Sequence, residues 1–221
     1  KLDALGLSDD TILIFMTDNG SSGGATLDER QFVTAGYNAG MRGKKGSEYE
    51  GGHRVPFFIR WPRGGIGGGR NVTELTANVD IMPTLLDLCG VDPGNHTFHG
   101  KSLVPLLRGD KVDWNDRILV TDSQRVASPI KWRKSSAMSG AWRLIDGEEL
   151  YDLSSDPGQR HDIAGDYPGI VAYLRQGYER WWEEVSTQFD GTIPITIGKQ
   201  VGDVARVNTH DWRNDPVRSE E

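Results

Sequence analysis

A single cysteine, Cys89, stands among 221 residues, so no internal disulfide can form and no cysteine-based zinc site can be assembled. Long apolar runs are also missing. The longest, Ile12 to Met16, falls far short of the roughly 20 residues a membrane-spanning helix needs, so no membrane span is expected. Basic residues are the minority, with 25 Lys+Arg against 32 Asp+Glu, a formal net charge of −7 and a pI near 5.3. That balance argues against a nucleic-acid partner, since phosphate binding is driven by clustered Lys and Arg. There are no internal repeats, no initiator methionine and no visible signal peptide. Lys1 to Leu7 reads as a helix tail stopped at Gly6, and a tail needs a body, so the chain is expected to be a piece of something longer.

Glycine is in excess. It supplies 28 residues, about 13%, against a usual ~7%. The excess has no collagen period, which points to loops where backbone must approach something closely. With 36% hydrophobic and 26% charged residues, the remainder is ordinary for a globular chain able to bury a core.

The patterning predicts two parts, residues 1–112 and 113–221. Thr11 to Met16 is continuously apolar and β-branched, as in a parallel-sheet strand buried on both faces, and Val55 to Trp61 is a second such strand. A glycine-dense loop, 36–52, separates them. Val79 to Cys89 has helical apolar spacing, with Pro83 tolerated in its first turn and Gly90 at its stop. Beyond Asp113 come short strands at 117–121, 136–138, 142–145 and 149–153, then a turn at Asp156-Pro157-Gly158. A helix follows over Pro168 to Val185, apolar at 170, 174, 178, 181 and 185. Thr192 to Ile197 reads as an edge strand carrying Pro194, followed by an acidic tail.

The chemistry-bearing residues cluster early. Asp18 and Asn19 close the first strand, where open α/β sheets place ligand sites, and their oxygens suit a hard cation such as Ca²⁺ or Mg²⁺. Asn-Gly is also a common hairpin turn, although the far side here, Ser-Ser-Gly-Gly-Ala, lacks a hairpin's alternation. Lys45, in Arg42-Gly43-Lys44-Lys45-Gly46, offers a mobile point charge for a tetrahedral oxyanion, although composition alone favours a solvated basic loop.

The order Thr17-Asp18-Asn19-Gly20, then Arg42-Gly43-Lys44-Lys45-Gly46 through Glu50-Gly51-Gly52-His53-Arg54-Val55-Pro56, then Trp61-Pro62, resembles the sulfatases of the alkaline-phosphatase-like superfamily. The resemblance continues through Asp80-Ile81-Met82-Pro83-Thr84-Leu85-Leu86-Asp87, Gly100 to Leu107 and Glu149 to Leu153 with Asp156-Pro157. It implies an α/β fold, the C-terminal part of a sulfatase sheet with a small α+β subdomain of short antiparallel strands and one long helix. It also implies hydrolysis of aryl or carbohydrate sulfates by a Ca²⁺-assisted formylglycine mechanism, with Mg²⁺ as the alternative cation. Asp18 and Asn19 match a pair of metal ligands that acidic residues of the N-terminal part would complete, and Lys45 matches the lysine that touches the sulfate. Lys44 matches its more variable neighbour. His53 occupies a variable position from which it could contact substrate, Glu50-Gly51-Gly52 match loop architecture, and Arg54 matches a structural ion-pair partner.

The formylglycine precursor, Cys or Ser in C-x-P-S-R, does not occur in this sequence. Cys89 lies on an apolar helix face and is expected to be a small buried hydrophobe. The expected partners are therefore a sulfated small molecule or glycan and an N-terminal half of the same protein, and the chain is not expected to hydrolyse anything unaided. The competing readings are a phosphate or phosphonate ester hydrolase of the same superfamily and a non-catalytic fragment that binds a cation or sulfated glycan. Family resemblance suggests a secreted, periplasmic or lysosomal setting, and an unpartnered sheet edge would favour self-association.

Other motifs fail on spacing. Gly100-Lys101-Ser102 is preceded at position 95 by Asn rather than the glycine of a P-loop, and turn residues bracket His96 and His99, which disfavours a metal role. The tryptophans gathered in the second half, Trp114 to Trp212, are read as core and interface packing rather than a sugar-stacking surface. Asn71-Val72-Thr73 and Asn95-His96-Thr97 fit the glycosylation sequon.

Overall fold

The computed structural model describes residues 1–114, 117–124, 126 and 128–189. The edge strand expected at Thr192 to Ile197 lies outside the described residues, as does Trp212. The architecture is mixed α/β, with antiparallel sheets and one long helix.

Strand β1 (Leu13–Met16) pairs antiparallel with β4 (Phe57–Arg60), Phe15 standing opposite Phe58. The expectation of a parallel-type strand buried on both faces is corrected here. Leu13 is 48% exposed, Phe15 60% and Phe58 65%, because no element among the described residues layers over that face of the pair. Their other face packs inward, where Ile12, Ile59 and Trp61 meet Ile66, Leu88 and Val104.

A second hairpin, β2 (Ala25–Leu27) and β3 (Val33–Gly36), was not visible in the sequence pattern. Its strands are three and four residues long, and a register shift between Thr26 and Leu27 breaks the alternation that would have betrayed them. Its tip turns at Asp28, whose carboxylate accepts the Phe32 N–H at 2.8 Å.

The glycine-dense loop contains one short helix, α1 (Glu50–His53), so that segment is not wholly irregular. Helix α2 (Ile81–Leu88) follows a 3-10 turn at Asn78–Asp80, and Gly90 stops the chain with a φ of 64°. Cys89 is exposed, a correction to its expected burial: it falls at the C-cap, one residue past the helix, and turns away from the packed stripe. Helix α3 (Val104–Arg108) completes this half.

A buried carboxylate joins the halves at this point. Asp80 is fully buried and receives both prongs of the Arg117 guanidinium, at 2.8 and 2.9 Å, as well as the N–H groups of Ala77 and Lys101. The lysine of the P-loop-like Gly100-Lys101-Ser102 thus contributes its backbone to a structural network.

The second part is a meander, β5 (Leu119–Asp122), β6 (Ser135–Ser139), β7 (Trp142–Ile145) and β8 (Glu149–Asp152), in that spatial order. Helix α4 (Pro168–Ser186) lies on it and buries Val171, Leu174 and Tyr178 against Ala137, Leu144 and Leu150. Each fully buried side chain of this kind contributes about 1.5–3 kcal/mol. Tyr178 stacks on Trp132 at 3.6 Å between ring centres, and its hydroxyl accepts the Trp132 N–H at 2.8 Å. Trp142, Trp181 and Trp182 pack against the same core, and buried Trp114 donates to the Leu75 carbonyl, as packing rather than sugar stacking requires. No helix among the described residues is long and apolar enough to cross a membrane.

Replacing Arg117 by alanine leaves Asp80 charged and buried without its cation. A loss of about 3–5 kcal/mol is expected, read from urea unfolding curves; a loss under 1 kcal/mol would show that the pair does not join the halves.

Candidate active-site cleft

The Thr17-Asp18-Asn19-Gly20 turn is set by a backbone seam against α1. The Gly20 N–H donates to the Gly52 carbonyl at 3.0 Å, and the Lys45 N–H donates to the Ser21 carbonyl at 2.9 Å. A Cβ on Gly20 would overlap the Gly51 carbonyl, and one on Gly51 would overlap the Gly43 carbonyl, so the seam closes only with hydrogen at these positions.

Beneath the seam, Glu50 is 2% exposed and is met by Arg143 of β7 at 2.7 Å, while Gln159 accepts the Glu50 N–H at 2.9 Å. His53 Nε2 and Arg54 stand 3.4 and 3.6 Å from the same carboxylate. Burial alone would raise the Glu50 carboxyl, but His53 and Arg143 overcome it and hold the pKa down to about 2. A second bolt runs in parallel. Arg42 lies over the Tyr49 ring at 3.7 Å and donates to the Tyr151 hydroxyl at 2.8 Å, and both phenols donate to Glu149. Burial, reinforced by the Glu149 carboxylate, lifts both phenols well above their ordinary value and keeps them as donors.

These bolts bring the Lys45 loop against the end of β5, and a cleft of about 330 Å³ opens between them. Asn19, Lys45 and His53 line it on one side, and Thr121, Asp122, Ser123 and Gln124 on the other. Lys44 is not in the lining. Lys45 is exposed and forms no ion pair among the described residues. Among the described residues, both ring nitrogens of His53 are buried without a hydrogen-bond partner, the Glu50 contact being too poorly aligned to count as one.

Asp18 lies outside the lining, exposed at the end of β1, and its carboxylate has no partner among the described residues. The Asn19 amide nitrogen donates to the Gly20 carbonyl at 2.8 Å, which leaves its oxygen uncommitted. Two free oxygen donors side by side suit a hard cation in kind, and they supply a fraction of the about 6–8 oxygens Ca²⁺ takes. No group of three or more His, Cys, Asp or Glu among the described residues could hold a metal by itself.

Sequence reasoning missed the β5 wall. Asp122 accepts from the Gln124 N–H at 3.2 Å and Nε2 at 2.8 Å, and burial pushes its carboxyl above the ordinary value despite those bonds. The residues read from the sequence as Arg117 to Thr121 gave the strand, but nothing in the pattern indicated that its end would face Lys45 across 77 positions. A larger hollow, about 430 Å³ beside α2, is lined by Pro83, Leu86, Val91 and Phe98 and contains none of these groups.

A family model described as Sulfatase matches residues 1–91. Mouse steryl-sulfatase is 31% identical over 73% of this chain and 30% of its own length, and human arylsulfatase A is 29% identical over 86% and 40%. The chain therefore spans only 30% and 40% of the length of these two curated relatives. The crystal structure of Ps i-CgsB superposes with a TM-score of 0.67 at 22% identity, covering 81% of this chain and 38% of that one. The phosphonate monoester hydrolase of Agrobacterium radiobacter gives 0.55 at 27% identity, covering 85% and 37%.

Glu50 makes acid stability a readout of the site's foundation. Its pKa falls from 4.5 unfolded to about 2 folded, so its contribution is present above about pH 4.5 and is lost as pH falls toward 2. Of order 3 kcal/mol of acid-labile stability is expected. Glu50→Gln should flatten the pH 2–4.5 limb of the urea midpoint; an unchanged limb would mean that the pair does not carry it.

Proposed function

The chain belongs to the sulfatase family of the alkaline-phosphatase-like superfamily, and from that premise we propose that it supplies one wall of a sulfate-ester hydrolase site, contributing Asp18 and Asn19 to a Ca²⁺ site and Lys45 to the sulfate. The observation that carries this reading is the joint placement of Asn19, Lys45 and His53 on one cleft, with the adjacent Asp18 carboxylate exposed and without a partner among the described residues.

Each side chain has a defined part. The Lys45 ammonium is a mobile donor of three hydrogens on a loop whose backbone is pinned to Ser21, so it can follow a sulfuryl oxygen while its anchor stays fixed. Asp18 and Asn19 present their oxygens from a turn that cannot shift without opening the glycine seam. A cation bound there would draw negative charge away from the sulfuryl oxygens. His53, its ring otherwise unbonded, is positioned to touch substrate from the cleft wall. The nucleophile of this reading is a formylglycine on polypeptide beyond these residues, since no C-x-P-S-R occurs here, and this chain alone should show no turnover. A secreted, periplasmic or lysosomal setting goes with the same reading.

The likeness to a phosphonate monoester hydrolase supports a second reading, phosphate or phosphonate ester hydrolysis at the same cleft. A sulfate monoester carries one negative charge and a phosphate monoester about two at neutral pH, so the relative affinities of 4-nitrophenyl sulfate and 4-nitrophenyl phosphate separate the two.

In calcium titration calorimetry, wild type should bind Ca²⁺ weakly and Asp18→Ala should remove that binding. Lys45→Ala should weaken inorganic sulfate about tenfold, the loss of one charge-assisted contact. Calcium binding unchanged by Asp18→Ala, or sulfate binding unchanged by Lys45→Ala, would refute the assignment.

A further inference from the structure

The cleft wall opposite Lys45 is built from Thr121, Asp122, Ser123 and Gln124. Among the described residues, every side chain lining the cleft carries nitrogen or oxygen, and the His53 imidazole is the one ring among them. Ligand sites for flat apolar groups are walled mainly by hydrophobic side chains, and apolar surface set against unpaired polar groups leaves those groups desolvated without compensation.

Asp122 is the charged centre of this wall, and it is held in place from behind. Gln124 donates to it from both its backbone and its side chain, at 3.2 and 2.8 Å. Gln124 is clamped in turn by Ile130, whose N–H donates to Gln124 Oε1 at 2.7 Å and whose carbonyl accepts from Nε2 at 2.9 Å. Ser123, between them, donates to the carbonyl of Gly46 at 3.2 Å, which ties this loop to the residue following Lys45. A carboxylate fixed by two donors retains further lone pairs, and these can accept charge-assisted bonds from ligand hydroxyl groups.

We infer that Asp122, positioned by Gln124, binds the hydroxyls of a sugar leaving group and so selects carbohydrate sulfates over aryl and steroid sulfates. The inference rests on the sulfate-binding reading of Lys45 and adds the identity of what the sulfate is attached to. Lys45 recognises the part common to all sulfate esters. Asp122 recognises the part that distinguishes a sugar.

The test measures dissociation constants of galactose 6-sulfate and 4-nitrophenyl sulfate for the purified protein and its variants, with thermal unfolding run alongside. Wild type should bind the sugar sulfate more tightly. Asp122→Ala should weaken galactose 6-sulfate at least tenfold and leave 4-nitrophenyl sulfate within twofold. Gln124→Ala should shift the same ratio in the same direction by a smaller factor, at an unchanged melting temperature. Asp122→Asn, which keeps the shape and loses the charge, reads the ratio if the alanine variant unfolds. Equal losses for both ligands, or none for the sugar, would overturn the inference while a Lys45→Ala loss on both ligands kept the sulfate-site reading intact. No binding of either ligand, or indifference of both to Lys45→Ala, would overturn the two together.

Discussion

Glu50 keeps a negative charge where only 2% of its surface meets solvent, and it does so because Arg143 reaches it from the facing sheet at 2.7 Å. Removing either partner strands the other charge in a low-dielectric interior, so the short helix that bears Glu50 and the meander that bears Arg143 must keep a fixed relation. That relation places Gly51 and Gly52 where Gly20 can close on them, and the closure sets Asn19 beside Lys45. The candidate side chains therefore lie on loops, but on loops whose backbones are over-determined from below.

The same logic recurs at Asp80 and Arg117, a second buried pair that crosses between the two parts of the chain. Neither pair is evidence of high stability in itself, because desolvation offsets much of the attraction. Their effect is specificity of arrangement, which hydrophobic packing over the short and partly exposed β1–β4 pair could not supply. The apolar weight sits instead under α4, and the ion pairs carry its rigidity forward to the cleft.

Elements with a clear period were legible. β7 was placed to the residue, and α4 was read to within one position, because period-2 and period-3.6 patterns over a continuous core leave few alternatives. Burial was legible only where a covering layer existed: the apolarity of Phe15 and Phe58 announced strands and said nothing about what lies over them. Hairpin β2–β3 was hidden by its short, bulged strands, and Cys89 by its place one residue past a helix. Asn19, Lys45 and His53 were singled out through a family pattern and then found on one cleft. Asp122 and Gln124 carried no motif, and only the fold, through Ser123 bonding to Gly46, brought them there.

The most direct test of the central claim is a crystal structure of the protein grown with calcium chloride and galactose 6-sulfate. The account predicts a sulfate oxygen within hydrogen-bond distance of Lys45 Nζ and a cation bound by Asp18 and Asn19 oxygens. A sulfate seated elsewhere, with Lys45 in solvent and no cation at Asp18, would contradict it.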